Sequence, residues 1–264
     1  MTSTEVTKPP KAWVPGFRGL LCLVSGVLLV LSLLPPVWGW SFRYGFVQAI
    51  QFCIFAFGAP TLLAVGAPWL GIRRSTDSSS LNRQPAWFRR WNARRVREKA
   101  QSRALVSATV VMVVTLLWRA APVVNALVHH HWLVVVEAIT LFVPSLFLMV
   151  ELIESPPFSP GISRPYRIGI SAVVMWAVWI VAYLAGMSNS SWYSAFRHVA
   201  GHGISANADQ QLSAGFVWFL SAAVFVPIVF WNLMQWLQSE EDPNEEIVKL
   251  FQQEREHGFF GNAE

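Results

Sequence analysis

A strongly basic stretch between two hydrophobic runs is the feature that most constrains the fold of this 264-residue chain. Residues 73–103 hold ten of the 20 Lys and Arg residues in the sequence. Lys and Arg beside a membrane span resist translocation, so this loop is predicted to stay in the cytoplasm and to set the direction of every span. Within it, Trp87, Arg90, Trp91 and Arg94 combine rings and guanidinium groups that suit an anionic membrane surface. A solvated basic loop is the simpler alternative, and it stays open.

The composition is that of an integral membrane protein. Hydrophobic residues make up 54% of the chain and charged residues only 13%, which excludes an ordinary soluble domain. Because the basic charge is confined to one loop, nucleic acid is not predicted as a partner. The two cysteines, Cys22 and Cys53, lie in separate hydrophobic runs, which excludes a disulfide framework and a CxxC metal motif.

Six hydrophobic runs are each long enough to cross about 30 Å of hydrocarbon. Their predicted limits are residues 19–38, 46–72, 104–127, 132–152, 168–187 and 212–237. The predicted fold class is an all-α, polytopic integral membrane helical bundle in a bacterial inner (cytoplasmic) membrane, with both termini cytoplasmic. The outer loops contain only Arg43 and Arg197 among Lys and Arg residues. Pro60 and Pro68 predict a kink or an early end of the second span.

The chain is predicted to have three parts. Residues 1–16 form a disordered cytoplasmic tail. Residues 17–238 form the six-span membrane domain, which includes the basic cytoplasmic loop 73–103. Residues 239–264 form an acidic cytoplasmic tail helix, which Asp242 can cap and in which Pro243 suits the first position.

Two ionisable side chains fall inside the predicted spans, Arg119 in the third and Glu137 in the fourth. A tight turn joins these spans, so they form an antiparallel hairpin that brings the two residues to a similar depth. A charge in the hydrocarbon region needs a partner or a wet cavity. A structural ion pair is the simplest solution, and a ligand or proton site is the alternative that stays open.

Further polar residues gather toward the outer ends of the spans. Gln48 and Gln51 lie near the outer end of the second span, and Asp209, Gln210 and Gln211 open the sixth. The inner half of the bundle is expected to offer far fewer polar groups. Polar residues from several spans are therefore predicted to converge in the outer half.

Histidines predicted on the outer side are candidate metal ligands. His130 and His131 lie in the turn between the third and fourth spans, and His198 and His202 lie four residues apart before the sixth. On a helix, that spacing would place two imidazoles on one face, as a metal site requires. A histidine run at a span end also serves as an interfacial cap, so both interpretations stay open.

From the second span onward, the sequence carries short elements at characteristic positions. They are Gln51 with Ala59–Leu63 and Gly66–Pro68, Trp118 with Pro122, Leu133–Phe142 around Glu137, and Asp209–Leu212 followed by Gly215 and Trp218. On these elements, residues 30–242 resemble the multi-pass CtaG family, the assembly factors for haem–copper cytochrome c oxidases. The resemblance implies the fold, the orientation, and residence beside a respiratory oxidase.

The resemblance also implies copper as a cofactor, held by histidines that family members carry near the outer leaflet. By motif, those positions fall here on Gln48, Phe52, Arg119, Val134 and Ala138. Aliphatic and aromatic hydrocarbon side chains cannot coordinate a metal, and a guanidinium group repels one. The copper site is therefore not expected at these positions, and Arg119 with Glu137 is expected to replace the metal by an ion pair.

A non-enzymatic CtaG-like factor is the leading functional prediction, because no nucleophile–base pair or carboxylate dyad is visible. It would assist assembly of the copper centre of a haem–copper cytochrome c oxidase, or act as an accessory subunit of a copper-dependent respiratory complex. Its partners would be the lipid bilayer and subunits of that complex. Copper delivery through the outer histidines stays open. The alternative is a small-solute or ion permease that uses an outer polar cavity around Arg119, Glu137 and Asp209, although no internal repeat is visible.

Overall fold

The computed structural model describes residues 15–69, 100–155, 158, 160–196 and 203–238. Within these ranges the regular structure is helical, no strand is formed, and six helices are long and apolar enough to cross a membrane. The predicted all-α membrane bundle with six spans is therefore confirmed. Three predicted parts lie outside the described residues: the amino-terminal tail, the acidic tail for which a helix is predicted, and the part of the basic loop that contains Trp87, Arg90, Trp91 and Arg94.

Nine α-helices lie wholly within the described ranges. They are α1 (Pro15–Leu33), α2 (Pro35–Ser41), α3 (Gly45–Cys53), α4 (Ala59–Gly66), α5 (Ala100–Trp118), α6 (Ala121–His129), α7 (Leu133–Leu152), α8 (Arg164–Met187) and α9 (Ala206–Leu237). A π-helical turn, Ile54–Gly58, joins α3 to α4, and a 3-10 turn, Ser194–Phe196, lies between α8 and α9. The six spans are α1, α3 continued through α4, α5, α7, α8 and α9.

The second span ends early, as its prolines predict, and its helical geometry changes before Pro60. Pro60 has no N–H group to donate, and the chain before it widens into the π-helical turn, where the Ala59 N–H bonds to the Ile54 carbonyl. The helix then ends at Gly66, where Ala67 adopts a left-handed conformation with φ 47°. Pro68 follows directly and disfavours helical geometry at the residue before it.

Prolines also shorten the first and third spans relative to their predicted limits. Helix α1 ends at Leu33 because Pro35 and Pro36 begin the separate helix α2. Helix α5 ends at Trp118, and an extended Ala120 separates it from α6, whose first turn contains a proline. Arg119 therefore lies at a break between two helices and not inside a continuous one.

The two ends of the bundle carry different residues. The histidine end carries the turn with residues 129–131 and the amino termini of α3, α7 and α9. The arginine end carries Arg103, Arg164 and Arg167 near the amino termini of α5 and α8. The orientation of the bundle in the membrane stays a prediction, in which the arginine end faces the cytoplasm.

The second span lies at the centre of the bundle, and α1 lies at its edge. Buried residues make up 61% of an 18-residue window within Gly45–Gly66 but only 11% of Gly16–Leu33. Helix α3 packs on α9, α4 packs on α1 and α7, and α5 packs on α7 and α8. The approach of α1 to α4 is close, since a Cβ atom on Gly66 would stand 2.5 Å from the Cys22 Sγ atom. The central position of α3 brings its polar side chains into the core.

Candidate functional site

Three polar side chains near the histidine end form one hydrogen-bonded chain inside the bundle. Gln48 on α3 is 1% exposed, Glu137 on α7 is 0% exposed and Arg119 is 6% exposed. Gln48 Nε2 donates to Glu137 Oε1 over 3.0 Å, and Arg119 Nη1 donates to Gln48 Oε1 over 2.8 Å. In the described part of the chain, Arg119 and Glu137 form no direct ion pair. The structure thus brings the two residues together, but the Gln48 amide bridges them in place of the expected direct pair.

The Arg119 guanidinium group is enclosed by groups from other segments. Its Nη2 atom donates to the Ser213 Oγ atom of α9 over 3.1 Å. Its Cζ atom lies 5.4 Å from the centre of the Phe52 ring and 5.3 Å from that of Tyr193, distances at which a ring face attracts a cation. The Tyr193 hydroxyl also donates to the Arg119 carbonyl over 3.2 Å. The bundle itself therefore supplies the surroundings that a guanidinium group in a membrane span needs.

Asp209, at the start of α9, caps the amino terminus of α3. Its Oδ2 atom accepts from the Gly45 N–H over 2.7 Å, and its Oδ1 atom accepts from the Phe46 N–H over 3.0 Å. A carboxylate at a helix amino terminus satisfies free N–H groups and interacts favourably with the helix dipole. The approach is close, since a Cβ atom on Gly45 would stand 3.0 Å from Asp209 Oδ2. The cap fixes the start of α3 about one turn before Gln48.

The other three candidate glutamines, Gln51, Gln210 and Gln211, have separate environments. The Trp192 N–H donates to Gln210 Oε1 over 2.6 Å, and Gln210 Nε2 donates to the Ala185 carbonyl over 2.8 Å. Gln210 therefore fastens the loop between α8 and α9 to the bundle. Gln51 donates to a carbonyl group of α1 over 2.7 Å, while its Oε1 atom has no donor among the described residues. Gln211 is exposed on α9.

The described part of the chain does not assemble the candidate histidine ligands. His130 and His131 are exposed, and the His131 ring stacks on Phe42 with ring centres 4.3 Å apart. No group of three His, Cys, Asp or Glu side chains that could hold a metal ion occurs among the described residues. His198 and His202 lie outside those residues, so their pairing stays a prediction.

Copper does not fit the core positions at which the family resemblance implies it. All five positions are buried: Gln48, Phe52, Arg119, Val134 and Ala138. On α7, Val134 and Ala138 share the buried face that carries Glu137. None of the five offers the sulfur or imidazole donors that suit copper, and the Arg119 guanidinium group places a positive charge among them. These residues therefore do not form a copper site.

A small cavity adjoins Arg119. Its volume is about 10 Å³, and its lining includes Thr115, Arg119 and Tyr193 together with aliphatic side chains of α8 and α9. Such a volume holds about one water molecule. The cavity is therefore too small for an organic solute.

The arginine end contains ion pairs that the sequence interpretation missed. Arg103 on α5 donates twice to the Glu151 carboxylate of α7, over 2.7 and 3.1 Å. Arg167 lies 3.5 Å from Glu154, and Arg164 donates to a carbonyl group of α9 over 2.5 Å. The expectation that this end offers few polar groups is wrong. One sequence signal could have predicted these ion pairs. Two acidic residues lie at the end of the fourth span, and arginines lie at the starts of the third and fifth spans, at the same end of the bundle.

Comparison with known proteins gives one result. No curated protein and no solved structure matches the chain. A family model, described as cytochrome c oxidase caa3 assembly factor (Caa3_CtaG), matches residues 4–239. This range includes all six spans, and it begins before the elements on which the resemblance rests. The chain therefore belongs to the family of cytochrome c oxidase caa3 assembly factors.

Proposed function

We propose that this protein assists the assembly of a haem–copper cytochrome c oxidase as a membrane scaffold that holds no copper in its core. Family membership over residues 4–239 supports the connection with the oxidase. The observation that carries the scaffold role is the filled core, where Arg119 donates to Gln48 at two of the positions that a copper carrier would need for ligands, and Gln48 in turn donates to Glu137. Its means of action is contact between its lipid-facing helices and an oxidase subunit.

The core also favours a role without catalysis. Glu137 Oε1 accepts from Gln48 and both oxygens of Asp209 cap α3, whereas Glu137 Oε2 is buried without a hydrogen-bond partner among the described residues. A catalytic acid or base must reach its substrate directly or through one water molecule. Both carboxylates are buried, at 0% and 6% exposure. We therefore propose a non-enzymatic protein.

Residence in the cytoplasmic membrane, with the arginine end in the cytoplasm, is part of the proposal. Arg103, Arg164 and Arg167 lie at that end, and the adjoining basic loop adds more positive charge. Fusions of green fluorescent protein and of alkaline phosphatase to the carboxyl terminus test this orientation. We expect fluorescence without phosphatase activity, and the reverse pattern would contradict a cytoplasmic carboxyl terminus.

The alternative of a permease with a cavity around Arg119, Glu137 and Asp209 gains no support from these residues. Arg119, Glu137 and Asp209 are 6%, 0% and 6% exposed, and each makes hydrogen bonds inside the bundle. The cavity beside Arg119 has a volume of about 10 Å³, which is far below the few hundred Å³ of an ordinary ligand pocket. We therefore do not propose transport as a second function.

Deletion of the gene in the native host tests the proposed function. We expect membranes of the deletion strain to lose oxidase activity and the oxidase haem spectrum, and the wild-type gene to restore both. An unchanged oxidase content would contradict the proposal. If the purified mature oxidase contains this protein in a one-to-one ratio, the protein is an accessory subunit and not a transient assembly factor.

The same strains test whether histidines take part in copper delivery. The copper content of the purified oxidase is compared after complementation with the wild-type gene and with a His198→Ala/His202→Ala gene. A scaffold without copper predicts equal copper content. A lower copper content with the variant would show that the scaffold also delivers metal.

A further inference from the structure

We infer that the histidine-end core is a cation site that the chain fills with its own Arg119 guanidinium group. The site consists of Gln48 Oε1, Ser213 Oγ and the ring faces of Phe52 and Tyr193. These groups come from α3, from α9 and from the loop between α8 and α9. The inference concerns the core itself, so it goes beyond the proposed role in oxidase assembly.

The groups around the guanidinium present electron-rich atoms to it. Gln48 Oε1 accepts over 2.8 Å and Ser213 Oγ accepts over 3.1 Å. The ring centres of Phe52 and Tyr193 lie 5.4 and 5.3 Å from the Arg119 Cζ atom. A planar organic cation uses both kinds of contact, because it donates hydrogen bonds in its plane and is attracted to aromatic faces. The arrangement therefore suits a guanidinium ion better than a spherical metal ion.

The Gln48 amide is oriented by a hydrogen-bond partner on each side. Its oxygen faces the Arg119 guanidinium, and its NH2 group faces the Glu137 carboxyl group. A reversed amide would place donors against donors at Arg119 and an acceptor against the acceptor oxygen of Glu137. Glu137 thus stabilises the cation through a neutral relay and not through contact. The relay makes Gln48 part of the cation site.

The nature of the site determines which ligands can occupy it. While Arg119 is present, a metal cation is repelled by a like charge in surroundings that contain little water. Truncating the side chain would leave the two oxygen acceptors, the two ring faces and the Gln48–Glu137 relay around a space that a short alkylguanidinium ion fits. The emptied site should therefore bind an organic planar cation.

Chemical rescue of purified Arg119→Ala protein tests this inference. The atoms that this substitution removes correspond to ethylguanidinium, so millimolar ethylguanidinium chloride is the probe. We expect it to raise the unfolding temperature of Arg119→Ala in detergent by several degrees and to leave that of the wild type unchanged. Urea, which is planar but uncharged, should not rescue the variant at the same concentration.

Two further variants make the rescue specific to the site. Arg43→Ala removes an exposed arginine at the same end of the bundle and should show no rescue. Arg119→Ala/Gln48→Leu also lacks the acceptor oxygen and should lose most of the rescue. Equal stabilisation by urea, or full rescue in the double variant, would overturn the inference.

A comparison of two other substitutions keeps the inference testable where Arg119→Ala cannot be purified. Arg119→Lys retains a positive charge, whereas Arg119→Gln is neutral. A cation site predicts a higher unfolding temperature for the Lys variant, and an equal or higher one for the Gln variant would overturn it. None of these measurements involves an oxidase, so their failure is distinct from a failure of the proposed function.

Discussion

The two ends of the bundle hold their charges in different ways. At the arginine end, Arg103 contacts Glu151 directly over 2.7 Å, and the Arg103 side chain is 16% exposed. At the histidine end, Arg119 and Glu137 are joined only through Gln48, and all three residues are buried. A charge near the surface keeps some hydration and gains from one good partner. A deeply buried charge needs its hydrogen bonds from the protein, because no water replaces a missing one.

This difference indicates that removing a neutral residue from a charged core can cost more stability than removing a charged residue near the surface. Gln48 satisfies a cation on one side and a carboxyl group on the other, so its removal affects two groups at once. Removing Glu151 at the arginine end leaves Arg103, whose side chain is 16% exposed and can be reached by water. Stability measurements on four variants can confirm or break this ranking.

Gln48→Leu should have the largest effect. It leaves Arg119 without its amide acceptor and Glu137 without its donor, and breaking such a buried network costs about 3–5 kcal/mol in the free energy of unfolding. Thermal unfolding in detergent, followed by tryptophan fluorescence, measures the loss. Gln211→Leu is the matched control, because Gln211 is exposed on α9, and it should change stability by less than about 0.5 kcal/mol. Similar losses of stability in the two variants would contradict the role of Gln48 as a relay between Arg119 and Glu137.

Glu151→Gln should have the second largest effect. The Glu151 side chain is 4% exposed and receives two hydrogen bonds from Arg103. Losing a hydrogen bond between charged groups costs about 1.5–3 kcal/mol. The same unfolding assay measures it, and a loss larger than that of Gln48→Leu would reverse the proposed ranking of the two ends.

Asp209→Ala should have a smaller effect, because it removes a helix cap and not a charge pair. Such substitutions cost about 0.5–2 kcal/mol. Hydrogen exchange should also accelerate at the Gly45 and Phe46 amides, which lose their acceptor. Asn207→Ala is the control, since the Asn207 Oδ1 atom has no hydrogen-bond partner among the described residues. Unchanged exchange at the two amides in Asp209→Ala would show that the cap does not hold α3.

Glu154→Gln should have the smallest effect. Glu154 lies 3.5 Å from Arg167, but its side chain is 57% exposed, and exposed ion pairs contribute about 0–1 kcal/mol. The remaining difference from the wild type should disappear in about 1 M salt, where the screening length falls to about 3 Å. A loss that equals that of Glu151→Gln, or that persists in high salt, would contradict the surface character of this pair.

The spans could be predicted because composition alone decides whether a run of about 20 residues crosses a membrane. The proline positions also predicted the distorted and shortened second span. The ends of the first and third spans were harder to predict, because the sequence stays hydrophobic across Pro35 and across the break after Trp118. The structure places Arg119 at that break, which a smooth hydrophobic run does not reveal.

The site could be predicted only in part, because its contacts are long-range. The hairpin of the third and fourth spans predicted a similar depth for Arg119 and Glu137, but it contains no information about α3. Gln48 lies 71 positions from Arg119, and Asp209 lies 164 positions from Gly45. Only the packing of α3 at the centre of the bundle brings these residues together, and no local pattern encodes it.

Copper(I) retention by the purified protein, in the presence of a competing chelator, tests the central claim most directly. It is measured on the wild type and on a variant in which His130, His131, His198 and His202 are all replaced by alanine. A core filled by Arg119 predicts that the variant retains no stoichiometric copper, whether or not the wild type binds copper through these four histidines. One copper ion per chain in both proteins would contradict the claim, because these four histidines would then not be the ligands.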